Sequence, residues 1–154
     1  MDEISFIYED NNDLNKYESI FYNLLTITKE KLNITNTLSL SVFFILPEKS
    51  IELNSKYRNK NYVGDVISFP IDDPIGIYDQ LDFKEIGDIF ITYNEALNKA
   101  TLYNHEIEDE MSWLFVHGLL HILGYDHETN ENDAKTMFKL TESILKEINV
   151  IYDM

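Results

Sequence analysis

A chain of 154 residues has single-domain length, and its 44% apolar and 13% aromatic content supplies a core without staples. That composition excludes collagen-like, low-complexity and wholly disordered chains, and the absence of cysteine excludes disulfides, thiolate metal ligands and a thiol nucleophile. Twelve Lys and Arg against 28 Asp and Glu give a formal charge of −16, which argues against nucleic-acid or anionic-membrane binding unless a local basic patch exists.

In chain order, Ile4 to Tyr8 predicts a short strand. Asn11-Asn12-Asp13 suits a helix entry, because short polar side chains cap free N–H groups. Leu14, Tyr17, Phe21, Leu24, Leu25, Thr28 and Leu32 then follow at helical spacing. Leu38 to Leu46 predicts a buried strand ended by Pro47, and a short helix is expected from Glu48 to about Tyr57. Val66 to Phe69 predicts another strand, stopped by Pro70. Asp72 to Glu85 lacks periodicity and the ligand spacing of a calcium loop, so it reads as a solvated acidic loop. Ile86 to Ile91 is a further strand, followed by a helix from about Tyr93 to Leu102.

Glu106, Glu108, Asp109 and Glu110 crowd the start of the next helix, where acids suit the positive end of its dipole. That helix runs to about Leu123 and stops at Gly124. A last helix spans about Glu131 to Ile148, with Met137 on its apolar stripe. No repeat or linker interrupts the pattern. The expectation is one α+β domain over residues 1–154: a small mixed four-stranded sheet packed with about five helices. The acidic N-terminus is not expected to be a secretory signal, no stretch approaches the ~18 apolar residues of a membrane span, and the cysteine-free composition fits a reducing cytoplasm.

Three of the four histidines fall within eleven residues: His117, His121 and His127. The first two are four apart on a helix and face the same side. Gly124 lets the chain turn back so that His127 reaches the same point. Three imidazoles leave one tetrahedral position open, as a catalytic zinc requires. The spacing is that of the metzincin motif with one departure: Gly118 stands where those proteases carry the glutamate that serves as general base. Without it peptide hydrolysis loses its proton shuttle, whereas a phosphodiester has a better leaving group. Asp126 and Glu128 flank His127 and are candidates to orient an imidazole. Trp113 reads as packing, and His105 as a residue at the surface or behind the site.

Arg58 is the only arginine, inside Lys56-Tyr57-Arg58-Asn59-Lys60, which with Lys49 is the densest basic stretch. A guanidinium grips phosphate through two parallel donors, as an ammonium does not. Two readings of Arg58 stand side by side: a phosphate clamp or an ordinary surface residue.

The segment His117-Gly-Leu-Leu-His121-Ile-Leu-Gly-Tyr-Asp-His127-Glu128 resembles the signature of the YbeY family, bacterial metal-dependent endoribonucleases of ribosomal RNA maturation. Leu53-Asn54-Ser-Lys-Tyr57-Arg58-Asn-Lys60, with Gly64-Asp65-Val66-Ile67-Ser68-Phe69-Pro70, looks like that family's first conserved block, and Ile86-Gly87-Asp88-Ile89 like its second. Asn61 stands where an Asp is usual and Gly64 where a Thr is usual. The resemblance implies a four-stranded sheet with surrounding helices, one zinc in a cleft held by His117, His121 and His127, and a catalytic role for Arg58. It also implies processing of the 3′ end of small-subunit ribosomal RNA and ribosome quality control, with small-subunit proteins or assembly GTPases as further partners and no DNA or membrane.

Three functions compete. The first is a zinc-dependent, single-strand-specific endoribonuclease. The second is a zinc peptidase lacking the usual base, and the third is a non-catalytic ribosome-assembly factor in which Arg58 simply binds RNA.

Overall fold

A computed structural model describes residues 1–71, 82–125 and 130–152. Its elements run β1 (Glu3–Tyr8), α1 (Tyr17–Leu32), β2 (Thr37–Ile45), α2 (Pro47–Arg58), β3 (Val66–Pro70), β4 (Phe83–Thr92), α3 (Tyr93–Tyr103), α4 (Ile107–Ile122) and α5 (Glu131–Lys146). The sheet order is β1-β2-β4-β3. β1 and β4 both run parallel to β2, and the edge strand β3 is antiparallel to β4. The expected α+β architecture is therefore the observed one.

Strand alternation sorts the two faces of this sheet. On β2, Leu38, Leu40, Val42 and Phe44 are buried against the main core, while Ser39, Ser41 and Phe43 point the other way. The main core is closed by α1, α4 and α5, with Phe21 of α1 stacked on Phe115 of α4 at 4.3 Å. The opposite face carries a small second cluster, in which Leu53 of α2 meets Ile45 and Ile67 and is flanked by Phe43, Phe69 and Phe90. α4 and α2 thus lie on opposite faces near the β3 edge, joined by the segment that enters β3.

Helix ends follow from local chemistry. Asn33, Asn59 and Asn104 end α1, α2 and α3 at φ of 55°, 53° and 57°. Asparagine tolerates this left-handed conformation better than most residues, and here it takes the role usually given to glycine. After α4 the reversal uses Gly124 at φ 107°. A β-carbon at Gly124 would meet no atom within 4 Å, so backbone conformation rather than crowding calls for glycine.

Two boundaries differ from expectation. α1 starts at Tyr17, not at Asn11–Asp13, because the Asp10 carboxylate accepts from the Asn12 amide at 2.7 Å and closes a turn there. Leu14, just before the helix, is buried in the main core all the same. β4 begins at Phe83, inside the segment expected to be a loop, because Thr37 to Ser39 of β2 supply partners for residues 83–85. The register then shifts between Ser39 and Leu40, and Gly87 sits beyond the shift at φ 144°, where a β-carbon would lie 2.2 Å from the Phe69 carbonyl oxygen. The rest of the expected acidic loop, residues 72–81, lies outside the described residues.

Candidate metal centre and phosphate clamp

α4 carries the candidate ligands because its sequence makes it a core helix with a polar entry. Glu108, Asp109 and Glu110 occupy its first turn, and Met111, Leu114, Phe115, Val116, Leu119 and Leu120 are buried. His117 and His121 project from one side a turn apart, with ring centroids 4.7 Å apart and planes at 79°. His117 is 8% exposed and His121 half-buried. Two imidazoles meeting edge to face on a rigid helix suit a divalent ion of the zinc type, which takes nitrogen ligands at ~2.0–2.1 Å. His127, with Asp126 and Glu128, lies outside the described residues. Among the described residues no group of three or more His, Cys, Asp or Glu could hold a metal ion, so the structure brings together two members of the expected trio.

Trp113 packs, as its sequence position predicts, but it packs against the site itself. Its indole stacks on the His117 ring at 4.5 Å and 16°, and the Tyr152 ring stacks on the indole at 4.9 Å and 17°. His105 closes the stack edge-on against Tyr152 at 4.6 Å. Rings packed this way lose rotamer freedom, so His117 is held in orientation from behind. The sequence carries the signal: Trp113 precedes His117 by four residues on a helix, the spacing of contacting side chains. Met137, on the stripe of α5, is fully buried in the core as expected.

Gly118 faces the sheet. A β-carbon there would lie 2.9 Å from Ile89 Cγ2 and 3.2 Å from Val66 Cγ2. Glycine at this position lets α4 approach β3 and β4 closely, and it leaves no room for the side chain of a catalytic base. Alanine in place of Gly118 gains about 1 kcal/mol of helix propensity but overpacks a filled contact at a cost of about 1–3 kcal/mol. Gly118→Ala should therefore lower the urea midpoint modestly and Gly118→Glu strongly, since the latter drives a carboxylate against Ile89. An alanine variant more stable than the parent would show the contact to be loose.

Behind the stack, Glu110 is fully buried, and neither carboxylate oxygen has a close hydrogen-bond partner among the described residues. Burial raises its carboxyl above the ordinary range. Asp65 adds to the rise, while the Tyr152 hydroxyl, Lys99 and His105 oppose it. Lys99 itself pairs with Asp65, the residue that precedes β3. A carboxyl raised in the folded state binds protons there that the unfolded chain has released, so its contribution to stability falls as pH rises through the interval above the ordinary glutamate value. Glu110→Gln should flatten that fall in chemical-denaturation profiles measured between about pH 4 and pH 8. Parallel profiles for variant and parent would show the carboxyl to be unperturbed.

Arg58 closes α2, and the segment after it is pinned back onto the helix. Arg58 Nη1 donates to Asn54 Oδ1 at 3.3 Å, and Asn54 Nδ2 donates to the Tyr62 carbonyl at 2.8 Å. Ser50 Oγ donates to the Gly64 carbonyl at 2.9 Å and accepts from the Gly64 amide at 2.8 Å. Asn54 and Ser50 are fully buried. Asn54, four residues before Arg58, is a second positioning residue that helical spacing alone would have found. Gly64 fits this clamp tightly, since a β-carbon there would lie 3.0 Å from Asn54 Nδ2. The clamped segment leads into β3, whose first residue, Val66, packs at Gly118. The helix that carries the basic block and the histidine helix thus both contact β3, from opposite faces of the sheet.

A small α+β domain with paired helical histidines and a braced arginine is the class these features define. The chain matches the family model described as Endoribonuclease YbeY over residues 4–149. Proteins of that name from Mycoplasma capricolum and Mesoplasma florum are 39% and 40% identical to it, over 97% and 95% of this chain and 91% and 86% of theirs. One from Staphylococcus epidermidis is 41% identical over 82% of this chain and 83% of its own. The solution structure of a Thermotoga maritima protein shares the fold at TM-score 0.65 and 23% identity, covering 94% of this chain and 88% of that one. The chain belongs to the YbeY family.

Proposed function

We propose that this protein is a zinc-dependent endoribonuclease that cuts single-stranded RNA. We propose further that its substrate is the 3′ region of small-subunit ribosomal RNA, and that it acts in the cytoplasm in ribosome maturation and quality control. The observation that carries the chemistry is the pair His117 and His121, edge to face on one side of a buried helix and braced by Trp113. His117, His121 and His127 would hold the zinc, which when bound polarises water or a substrate hydroxyl for attack on phosphorus. Arg58 binds the phosphate and stabilises charge as it develops on the phosphoryl oxygens. Asn54 keeps the guanidinium at the end of α2 rather than loose in solvent. The name shared by the relatives supports RNA as the substrate, and no described helix is long and apolar enough to cross a membrane.

The peptidase alternative fits less well, because the position of its missing base is filled by the Gly118 contact with Ile89 and Val66. The test is cleavage of RNA and of casein, in parallel, by metal-stripped and zinc-restored protein. Zinc-dependent loss of RNA with casein intact is the expected result. Casein cleavage would establish a peptidase. RNA binding without any cleavage would establish an assembly factor.

A further inference from the structure

Tyr57 and Tyr62 are 57% and 53% exposed, the two most exposed aromatic rings among the described residues. They flank Arg58 in sequence, and neither ring takes part in the hydrogen bonds that brace it. Exposed rings are ordinarily solvated singly, yet these two share a construction. Lys56 Nζ lies 5.2 Å from the Tyr57 ring centre and Lys60 Nζ lies 5.8 Å from that of Tyr62. Neither ring hangs from a free backbone. Tyr57 meets Phe69 edge-on at 5.2 Å, Phe69 meets Phe90 at 5.7 Å, and Phe90 stacks on Phe43 at 4.4 Å, so the ring is tied to the sheet. The Tyr62 carbonyl is held by buried Asn54, the same residue that binds Arg58.

Charge selects the occupant. Residues 49–62 carry Lys49, Lys56, Arg58 and Lys60 against one carboxylate, Glu52, in a chain of net charge −16. A partner drawn to this stretch and not to the rest of the surface is a polyanion. A polyanion that also uses two separate aromatic faces has flat groups between its charges. Single-stranded RNA has both, a phosphate and a base in every repeat, whereas an acidic peptide offers charge without the rings. We propose that Tyr57 and Tyr62 form a stacking platform for two bases of single-stranded RNA, with Lys56 and Lys60 turning from the rings to the neighbouring phosphates. The inference rests on RNA being the substrate and adds how the strand is held: Arg58 sits between two base sites. It also accounts for how so acidic a chain grips RNA, through rings whose contribution salt does not screen.

The test uses metal-free protein, so that binding is read without cleavage. The probes are a fluorescently labelled oligoadenylate of roughly 8 nucleotides, within the length such platforms cover, and an abasic oligonucleotide of equal length and charge. The parent should bind oligoadenylate more tightly than the abasic strand. Tyr57→Leu and Tyr62→Leu should each weaken oligoadenylate about 5–150-fold, the usual worth of one stacked base, and leave abasic binding and the salt slope unchanged. Tyr57→Phe keeps the ring and its contact with Phe69, and should bind as the parent does even if Tyr57→Leu disturbs folding. Lys56→Gln and Lys60→Gln should weaken both probes and reduce the salt slope by about 0.7 each. Equal binding of the two probes by the parent, or parental affinity in the Tyr62→Leu variant, would overturn the platform. Neither outcome depends on whether RNA is cut, so the endoribonuclease reading stands or falls separately.

Discussion

His121→Ala should leave the purified protein with a small fraction of the roughly one zinc per chain expected of the parent. Removing one of the three proposed imidazole ligands would leave two, and zinc sites in proteins hold with three or four. The half-buried position of His121 means that alanine there opens little core, so the variant should keep its fold. The structure also supplies a reporter. Trp113 is the only tryptophan in the chain and stacks on His117 at 4.5 Å. Zinc added to metal-stripped parent protein should change Trp113 emission saturably, and His121→Ala should need far more zinc for the same change. Metal should also be lost as pH falls below the ordinary imidazole range of about 6.5, because a protonated ring cannot ligate. Full zinc occupancy in His121→Ala would dismantle the centre. A flat emission titration in a parent that demonstrably binds zinc would place the metal away from His117.

Most of this site is legible in the sequence because helices put residues i and i+4 together. His117 and His121 are such a pair, and the structure adds two more: Trp113 beneath His117, and Asn54 beneath Arg58. Both follow from spacing, but an indole and an amide do not announce chemistry as a histidine does. Less legible is anything set by distant chain. Tyr152 joins the stack from the far end of the sequence, and Gly118 looks on paper like a missing catalytic base. In the structure it is a packing position, set by Ile89 and Val66 on two strands whose approach no local pattern records. The entry to α1 differs from its local signal for a related reason. Asn11 to Asp13 are good capping residues, and the Asp10 carboxylate takes that role first by closing its own turn. β4 extends beyond its local signal because Phe83 to Glu85 lack strand character alone and acquire it from the β2 partners.

Even the mildest change to Arg58 should cost most of the turnover. Arg58→Lys preserves the charge and removes the planar pair of donors that can hold two phosphoryl oxygens at once. It also removes the group that donates to Asn54, so the remaining ammonium is neither shaped for the phosphate nor held in place. Loss of one preorganised donor to developing charge typically costs ~10²–10³ in rate, and Arg58→Lys should lose cleavage on that scale while retaining its fold and its zinc. Arg58→Ala should lose at least as much. RNA affinity should fall much less than rate, because the proposed contact strengthens as charge develops on the phosphoryl oxygens. Single-turnover cleavage and equilibrium binding, measured on one short single-stranded fragment of the small-subunit RNA 3′ end, separate the two quantities. If affinity falls and rate at saturation does not, Arg58 is a binding residue only. If Arg58→Lys cuts at the parental rate, the arginine leaves the mechanism, and the chemistry rests on the histidines of α4 and the segment that follows it.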